Sequence, residues 1–204
     1  MARPDPDARP PGSGPRFYYD LFSPHAYVVA ERLPSTPLAP SLDWQPIRAR
    51  DLAPTADTLE AFRCAEEESI FRAELERRAT AHGLQPIVWP DPFPFDSDLA
   101  LRVATYAKTI GRVVAFSLAA FRQAFAAGHD LSQPNLVLIA AAACEMHPQA
   151  VLASADRASI SRRLDEATEQ ARSRGVTDVP ALELDGQVAV GSALVLRTLD
   201  EVGP

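Results

Sequence analysis

The sequence predicts an α/β fold in which a block of helices interrupts a smaller, strand-containing unit. Three observations carry this reading. An aromatic strand runs straight into a Ser-Pro helix start near the N-terminus, and a hairpin followed by a helix closes the C-terminus. Between them lie about a hundred residues of helical periodicity. A chain of 204 residues fits one large domain, or one domain carrying an insertion, and can bury a core without disulfides or metals.

The elements follow in order. Residues 1–15 are rich in Pro, Gly and Arg and are expected to form a flexible tail, since such composition buries too little apolar surface to offset ordering entropy. Arg16-Phe17-Tyr18-Tyr19-Asp20-Leu21-Phe22 has strong β character. Ser23-Pro24 then starts a helix, Ser being a favoured N-cap and Pro a favoured first helical residue. Pro34 and Pro37 stop it, and Leu42–Ile47 reads as a second strand that Pro46 confines to a strand end or sheet edge.

Thr58–His82 is expected to be one long helix closed by Gly83. A proline- and aromatic-rich loop, Pro86–Phe95, follows. Asp96 or Ser97 caps a helix ending at Gly111, and Val113–Ala127 and Pro134–Glu145 supply two more. Phe116, Phe121 and Phe125 form a stripe read as core. Ala155–Arg174 is a charged amphipathic helix. Asp185-Gly186 joins two short alternating strands, and Ser192–Val202 is the closing helix. No internal repeat of fixed period is present.

Composition excludes several classes. A net charge of −7 makes non-specific nucleic-acid binding a poor fit, because phosphate neutralisation needs a basic face. No apolar run is long enough for a membrane span, and the N-terminus lacks the apolar segment of a secretory signal, so a cytoplasmic location with no membrane partner is expected. Cys64 and Cys144 form no C-x-x-C pair and are read as core or boundary residues within helices. His25, His82, His129 and His147 are scattered, and no metal site is expected.

Two local features bear on chemistry. Ser23 stands between a strand and a helix, where free backbone N–H groups and the helix dipole favour a thiolate or carboxylate; the same pair is also an ordinary helix cap. Pro180, in Gly175-Val176-Thr177-Asp178-Val179-Pro180, enters a strand just after a helix. Such a proline is either a trans residue at a strand start or a cis one.

Strand–Ser23-Pro24-His25-Ala26–helix, a helical insertion, Gly175–Pro180 before a hairpin, and then Gly191-Ser192 together resemble one family. It is the thioredoxin-fold group of DsbA-type disulfide oxidoreductases, kappa-class glutathione transferases and 2-hydroxychromene-2-carboxylate isomerases. The runs Ala81–Leu84, Phe93–Arg102 and Arg122–Asp130 resemble the isomerase and kappa branch, and the likeness spans residues 16–202. It implies a thioredoxin-like α/β domain, residues 16–53 and 155–204, with an all-α insertion over residues 54–154. It further implies an enzyme, a glutathione-dependent isomerase or transferase acting on an unsaturated aromatic keto acid or a related small-molecule electrophile. Relatives are often dimers, so a homodimer is an expectation too.

By that resemblance Ser23 hydrogen-bonds the cofactor sulfur and favours its thiolate, a free thiol near pKa ~8.5 being mostly protonated at neutral pH. Val179 and the cis-proline Pro180 hold the cofactor backbone, and Gly191 and Ser192 hold its far end. Ser23-Pro24-His25-Ala26 replaces the C-P-x-C turn, which removes dithiol–disulfide exchange. His25 stands where the family commonly has an aromatic residue, and is read either as a general base or as packing.

Departures temper the thiol. Ala193-Leu194 replace the family's Asp-Arg, and a missing charge-assisted hydrogen bond is worth about 1.5–3 kcal/mol. A thiol other than glutathione, or a non-catalytic thioredoxin-fold binding protein, are therefore the alternatives. Arg48 and Arg50 after the second strand are either carboxylate contacts or solvated surface residues. Asp96, where asparagine is common, either faces the substrate or caps its helix.

Overall fold

The computed structural model describes residues 14–52, 62 and 64–203. Strand β1 spans Arg16–Tyr19, helix α1 Pro24–Arg32 and strand β2 Asp43–Pro46. Helices α2 (Ala65–Ala81), α3 (Asp98–Thr109), α4 (Val113–Phe125), α5 (Pro134–Ala142), α6 (Pro148–Ala155) and α7 (Ala158–Ser173) follow. Strands β3 (Ala181–Leu184) and β4 (Gln187–Val190) and helix α8 (Ser192–Val202) complete the chain. This is a thioredoxin-like α/β fold in which α2–α6 lie between the two strand-containing segments.

The sheet has the order β2-β1-β3-β4, with β1 parallel to β2 and antiparallel to β3. Pro46 is the last residue of β2, which is an edge strand, so its missing N–H breaks no ladder bond. In the β3–β4 hairpin, Asp185 and Gly186 both adopt positive φ (49° and 79°), the backbone that a tight two-residue turn requires and that Asp and Gly tolerate.

Strand periodicity divides the core in two. Phe17 and Tyr19 join a large cluster with α1, the helical block and α8, whereas Tyr18 faces a second cluster with Ile47, Ala171, Val176, Val179 and Ala181. Phe116, Phe121 and Phe125 of α4 are fully buried in the large cluster, as expected of a core stripe. Tyr19 anchors the sheet to α4, its hydroxyl 2.6 Å from Ser117 Oγ and its ring 5.7 Å from Phe121. Lys108 of α3 joins the block to the edge strand, donating to Asp43 Oδ1, the Trp44 carbonyl and Gln45 Oε1 at 2.5, 3.1 and 2.7 Å.

Three expectations are corrected. The charged helix expected from Ala155 begins at Ala158; Ala155 instead ends a separate helix, α6, started by Pro148 and broken from α7 at Asp156-Arg157. The helix expected over Thr58–His82 is observed as Ala65–Ala81; Phe62 is not helical, and residues 58–61 and 63 lie outside the described residues. Cys64 is an exposed residue preceding α2, outside any helix, while Cys144 is buried just beyond α5. Residues 1–13 of the expected tail also lie outside the description. Among the described residues, no helix is long and apolar enough to cross a membrane.

Candidate active site

The strand pairing brings distant segments to one end of the sheet. Ala181 pairs with Tyr18, so Pro180 enters beside the C-terminal end of β1, from which the Ser23 turn departs. The Val179–Pro180 peptide is cis. Gly191 N–H donates to the Pro180 carbonyl at 2.8 Å, which places the start of α8 at the same end.

Ser23 is 1% exposed and caps α1, its Oγ accepting from Ala26 N–H at 3.2 Å. That bond uses a lone pair and leaves the hydroxyl hydrogen to be donated. Pro24 at the first helical position costs no hydrogen bond, so the turn is favoured by both of its residues. One turn along, His25 and Ser192 meet: Nδ1 of His25 lies 3.0 Å from Ser192 Oγ, which also contacts Arg78 Nη1 from α2. Burial, reinforced by the Arg78 guanidinium, pulls His25 down to about 4 against the opposing charge of Glu74. The imidazole is therefore uncharged at neutral pH and a weak base.

From His25 a run of aromatic rings leads into the helical block. Phe71 meets its ring edge-on at 5.3 Å, Trp89 lies 6.0 Å from Phe71, and Phe93 lies 5.1 Å from Trp89. All three are only half-buried, so part of this apolar wall faces solvent.

The remaining expected residues are placed as follows. Val179 is buried, and its N–H donates to Asp178 Oδ1 at 2.7 Å; a peptide ligand meets that donor already engaged. Arg48 is 8% exposed, so the solvated-surface reading fails: Nε donates to Asp98 at 2.7 Å, Nη1 to Asp165, and its backbone N–H to Thr168 Oγ1. Arg50 is half exposed, 3.6 Å from both Asp96 and Asp98. Asp96 accepts from the backbone N–H of Asp98 at 3.0 Å, at the start of α3. Ser97 precedes α3 but makes no cap bond; its hydroxyl goes elsewhere.

It goes to Asp20, which the sequence reading overlooked. Asp20 is 2% exposed beneath the Ser23 turn. Its carboxylate accepts from Ser97 Oγ (2.6 Å), Ala49 N–H (3.0 Å) and Phe22 N–H (3.3 Å), and its carbonyl accepts from Ser23 N–H at 3.1 Å. Burial pushes its carboxyl up to about 6, against the pull of those donors and of the Arg50 charge. A lone Asp between Tyr19 and Leu21 in an otherwise apolar run was the available signal. Arg78 gave none, being one of nineteen arginines and 114 residues from its partner Ser192.

Comparison with known proteins agrees with this architecture. The structure is similar to 2-hydroxychromene-2-carboxylate isomerase, at TM-score 0.79 and 20% identity, covering 93% of this chain and 94% of that one. It is also similar to a probable DsbA oxidoreductase from Streptomyces coelicolor (TM-score 0.68, 19% identity, 92% and 88% covered). A third similar structure is the cytosolic disulfide reductase DsbM from Pseudomonas aeruginosa with GSH (TM-score 0.66, 13% identity, 93% and 95% covered). At these identities the likeness concerns the fold. A search of curated proteins returns no significant match. Residues 16–201 match the DSBA-like thioredoxin domain, and with the Ser23 turn, the Val179–Pro180 segment and the helical block all in that frame, the chain belongs to the DSBA-like thioredoxin family.

Proposed function

We propose that the protein is a thiol-dependent isomerase or transferase acting on a conjugated, unsaturated aromatic keto acid or a related electrophile. The observation that carries this reading is the Ser23 turn. A family that places a reactive sulfur at this position has here a hydroxyl whose hydrogen is left to donate, at a helix N-terminus that favours negative charge. With no sulfur in Ser23-Pro24-His25-Ala26, dithiol exchange has no attacking group, and a small thiol would supply the nucleophile.

Glutathione, or another low-molecular-weight thiol, would be held by Ser23 at its sulfur, by Val179 and Pro180 along its backbone and by Gly191 and Ser192 at its far end. The donor set suits an anionic, hydrogen-bonding ligand: Ser192 sits against the Arg78 guanidinium, while Ala193 offers nothing to an ammonium group. Once bound, the thiol supplies a nucleophile that adds reversibly to a conjugated double bond and so permits rotation about it. Ser23 would hold the sulfur anionic. The ring wall of Phe71, Trp89 and Phe93 would stack a planar substrate and exclude water. Beyond the small-molecule substrate, we expect no nucleic-acid or membrane partner, a cytoplasmic setting and a homodimer.

Calorimetric titration with reduced glutathione, for the wild type and Ser23→Ala, tests the reading. Micromolar-to-millimolar binding that weakens in the variant supports it and justifies turnover assays on aromatic keto acids. A second reading, a non-catalytic binding protein of the same fold, draws on the burial of Ser23 and the engaged Val179 N–H. Failure of glutathione and of a panel of other small thiols to bind would favour it; binding of a different thiol alone would keep the chemistry and change the cofactor.

A further inference from the structure

A guanidinium carries only donors, so in the contact between Arg78 and Ser192 the serine oxygen must accept. The same oxygen lies 3.0 Å from Nδ1 of His25. That nitrogen lies within hydrogen-bond reach of the Ser192 hydroxyl hydrogen. Donation running from Arg78 to Ser192 to His25 satisfies the hydroxyl hydrogen with Nδ1 as its acceptor. The imidazole proton is then on Nε2.

The charges facing His25 point the same way. From α2 come Arg78 and Glu74, the latter bound to the other end of the same guanidinium at 2.7 Å, and Phe71 presents an uncharged ring. From α8 comes the Ser192 hydroxyl. An imidazolium here would set a second cation against Arg78 in a largely buried position.

We propose that Arg78 and Ser192 hold His25 as an imidazole with its proton on Nε2, and that this N–H donates a hydrogen bond to the carbonyl oxygen of a conjugated keto substrate instead of acting as a base. The substrate half rests on the function proposed above; the tautomer half does not. When a nucleophile adds to a conjugated ketone, electron density moves from the double bond to the carbonyl oxygen, and a fixed donor there stabilises the charge without any proton transfer. Arg78 and Ser192 are positioning residues, acting through His25.

Long-range ¹H–¹⁵N spectra of protein labelled at its four histidines read the tautomer, with His25→Gln assigning the His25 signals. The expected result is a protonated Nε2, an unprotonated Nδ1 and no titration of His25 between about pH 8 and about pH 5. Ser192→Ala and Arg78→Gln should each release the ring and mix the tautomers, and Arg78→Gln, which removes the facing cation, should also raise its titration by about one pH unit, while Ser192→Thr retains the wild-type spectrum. A protonated Nδ1, a wild-type titration near the ordinary value of about 6.5, or an unchanged spectrum in Ser192→Ala overturns the assignment.

Calorimetry with benzylidenepyruvate, an unsaturated aromatic keto acid, tests the donor role. His25→Phe should weaken binding about tenfold, and His25→Gln, which keeps a donor at that reach, by no more than about threefold. Equal affinity in His25→Phe, or no binding at all, overturns the donor role. Glutathione binding by the same samples reports separately on whether the thiol reading survives.

Discussion

Ser23 caps α1 through the same oxygen that the proposed function assigns to a thiol, and its substitution separates the two roles. Removing the cap bond to Ala26 costs about 1 kcal/mol of stability. Losing the hydroxyl donor is expected to lower turnover about a hundredfold, with a smaller effect on thiol affinity. Chemical denaturation and steady-state kinetics on Ser23→Ala read the two effects independently, and unchanged turnover would remove Ser23 from the chemistry. Beneath it, Asp20 is satisfied by three donors in a buried site. Ser97→Ala deletes one of them and is expected to cost about 1–3 kcal/mol, more above pH 6, where the carboxylate is charged, than at pH 4.5. Equal losses in urea melts at the two pH values would show that Asp20 does not change charge between them and would overturn its raised titration.

At the scale of elements, turns decide where the helical block sits. Gly128 closes the segment after α4 with φ at 73°, and a Cβ there would lie 2.7 Å from Val88 Cγ1 and 3.4 Å from the Trp89 carbonyl. The same segment is stitched by Val88 N–H donating to the Phe125 carbonyl at 2.9 Å. Gly128→Ala therefore combines a left-handed backbone with a clash, and is expected to cost about 1–3 kcal/mol in thermal or urea unfolding. Because Trp89 belongs to the ring wall beside His25, keto-acid affinity should fall along with stability. Gly83→Ala, equally left-handed but with open space around its Cβ, is the control that separates strain from clash.

For the whole molecule, two buried titrating groups oppose one another. Asp20 ionises less readily in the fold, at about 6 against an ordinary 3.8, so between those values the folded state binds more protons and stability falls as pH rises. His25 protonates less readily, at about 4 against 6.5, so the unfolded state binds more protons and stability rises with pH over nearly the same window. The wild type sums both slopes, and each is exposed by deleting the other. Asp20→Asn should gain on the wild type as pH rises from about 4 to about 6, and His25→Gln should gain as pH falls from about 6.5 to about 4. Urea unfolding free energies at five pH values across the window check both signs; parallel curves for wild type and variants would refute the two shifts.

Much of this molecule was legible in one dimension. The aromatic β1, the Ser23-Pro24 helix start, the Asp185-Gly186 turn and the whole of α8 depend on local propensity and on residues that tolerate particular φ values, and these are properties of short segments. Helix α6 was not among the expected elements although Pro148 marks its start, and α7 was expected three residues early because Asp156-Arg157 carries no glycine or proline to mark the boundary. What the sequence alone determined was therefore the order of the strands and of the helices other than α6, and the chemical type of the turn at Ser23. Tertiary structure decided the rest: that Asp20 is buried under that turn, that Arg48 is held by two carboxylates, and that Arg78 closes on Ser192 and His25. Those contacts join residues 29 to 167 positions apart, and burial, which sets their charge states, exists only once the sheet and the helical block have packed together.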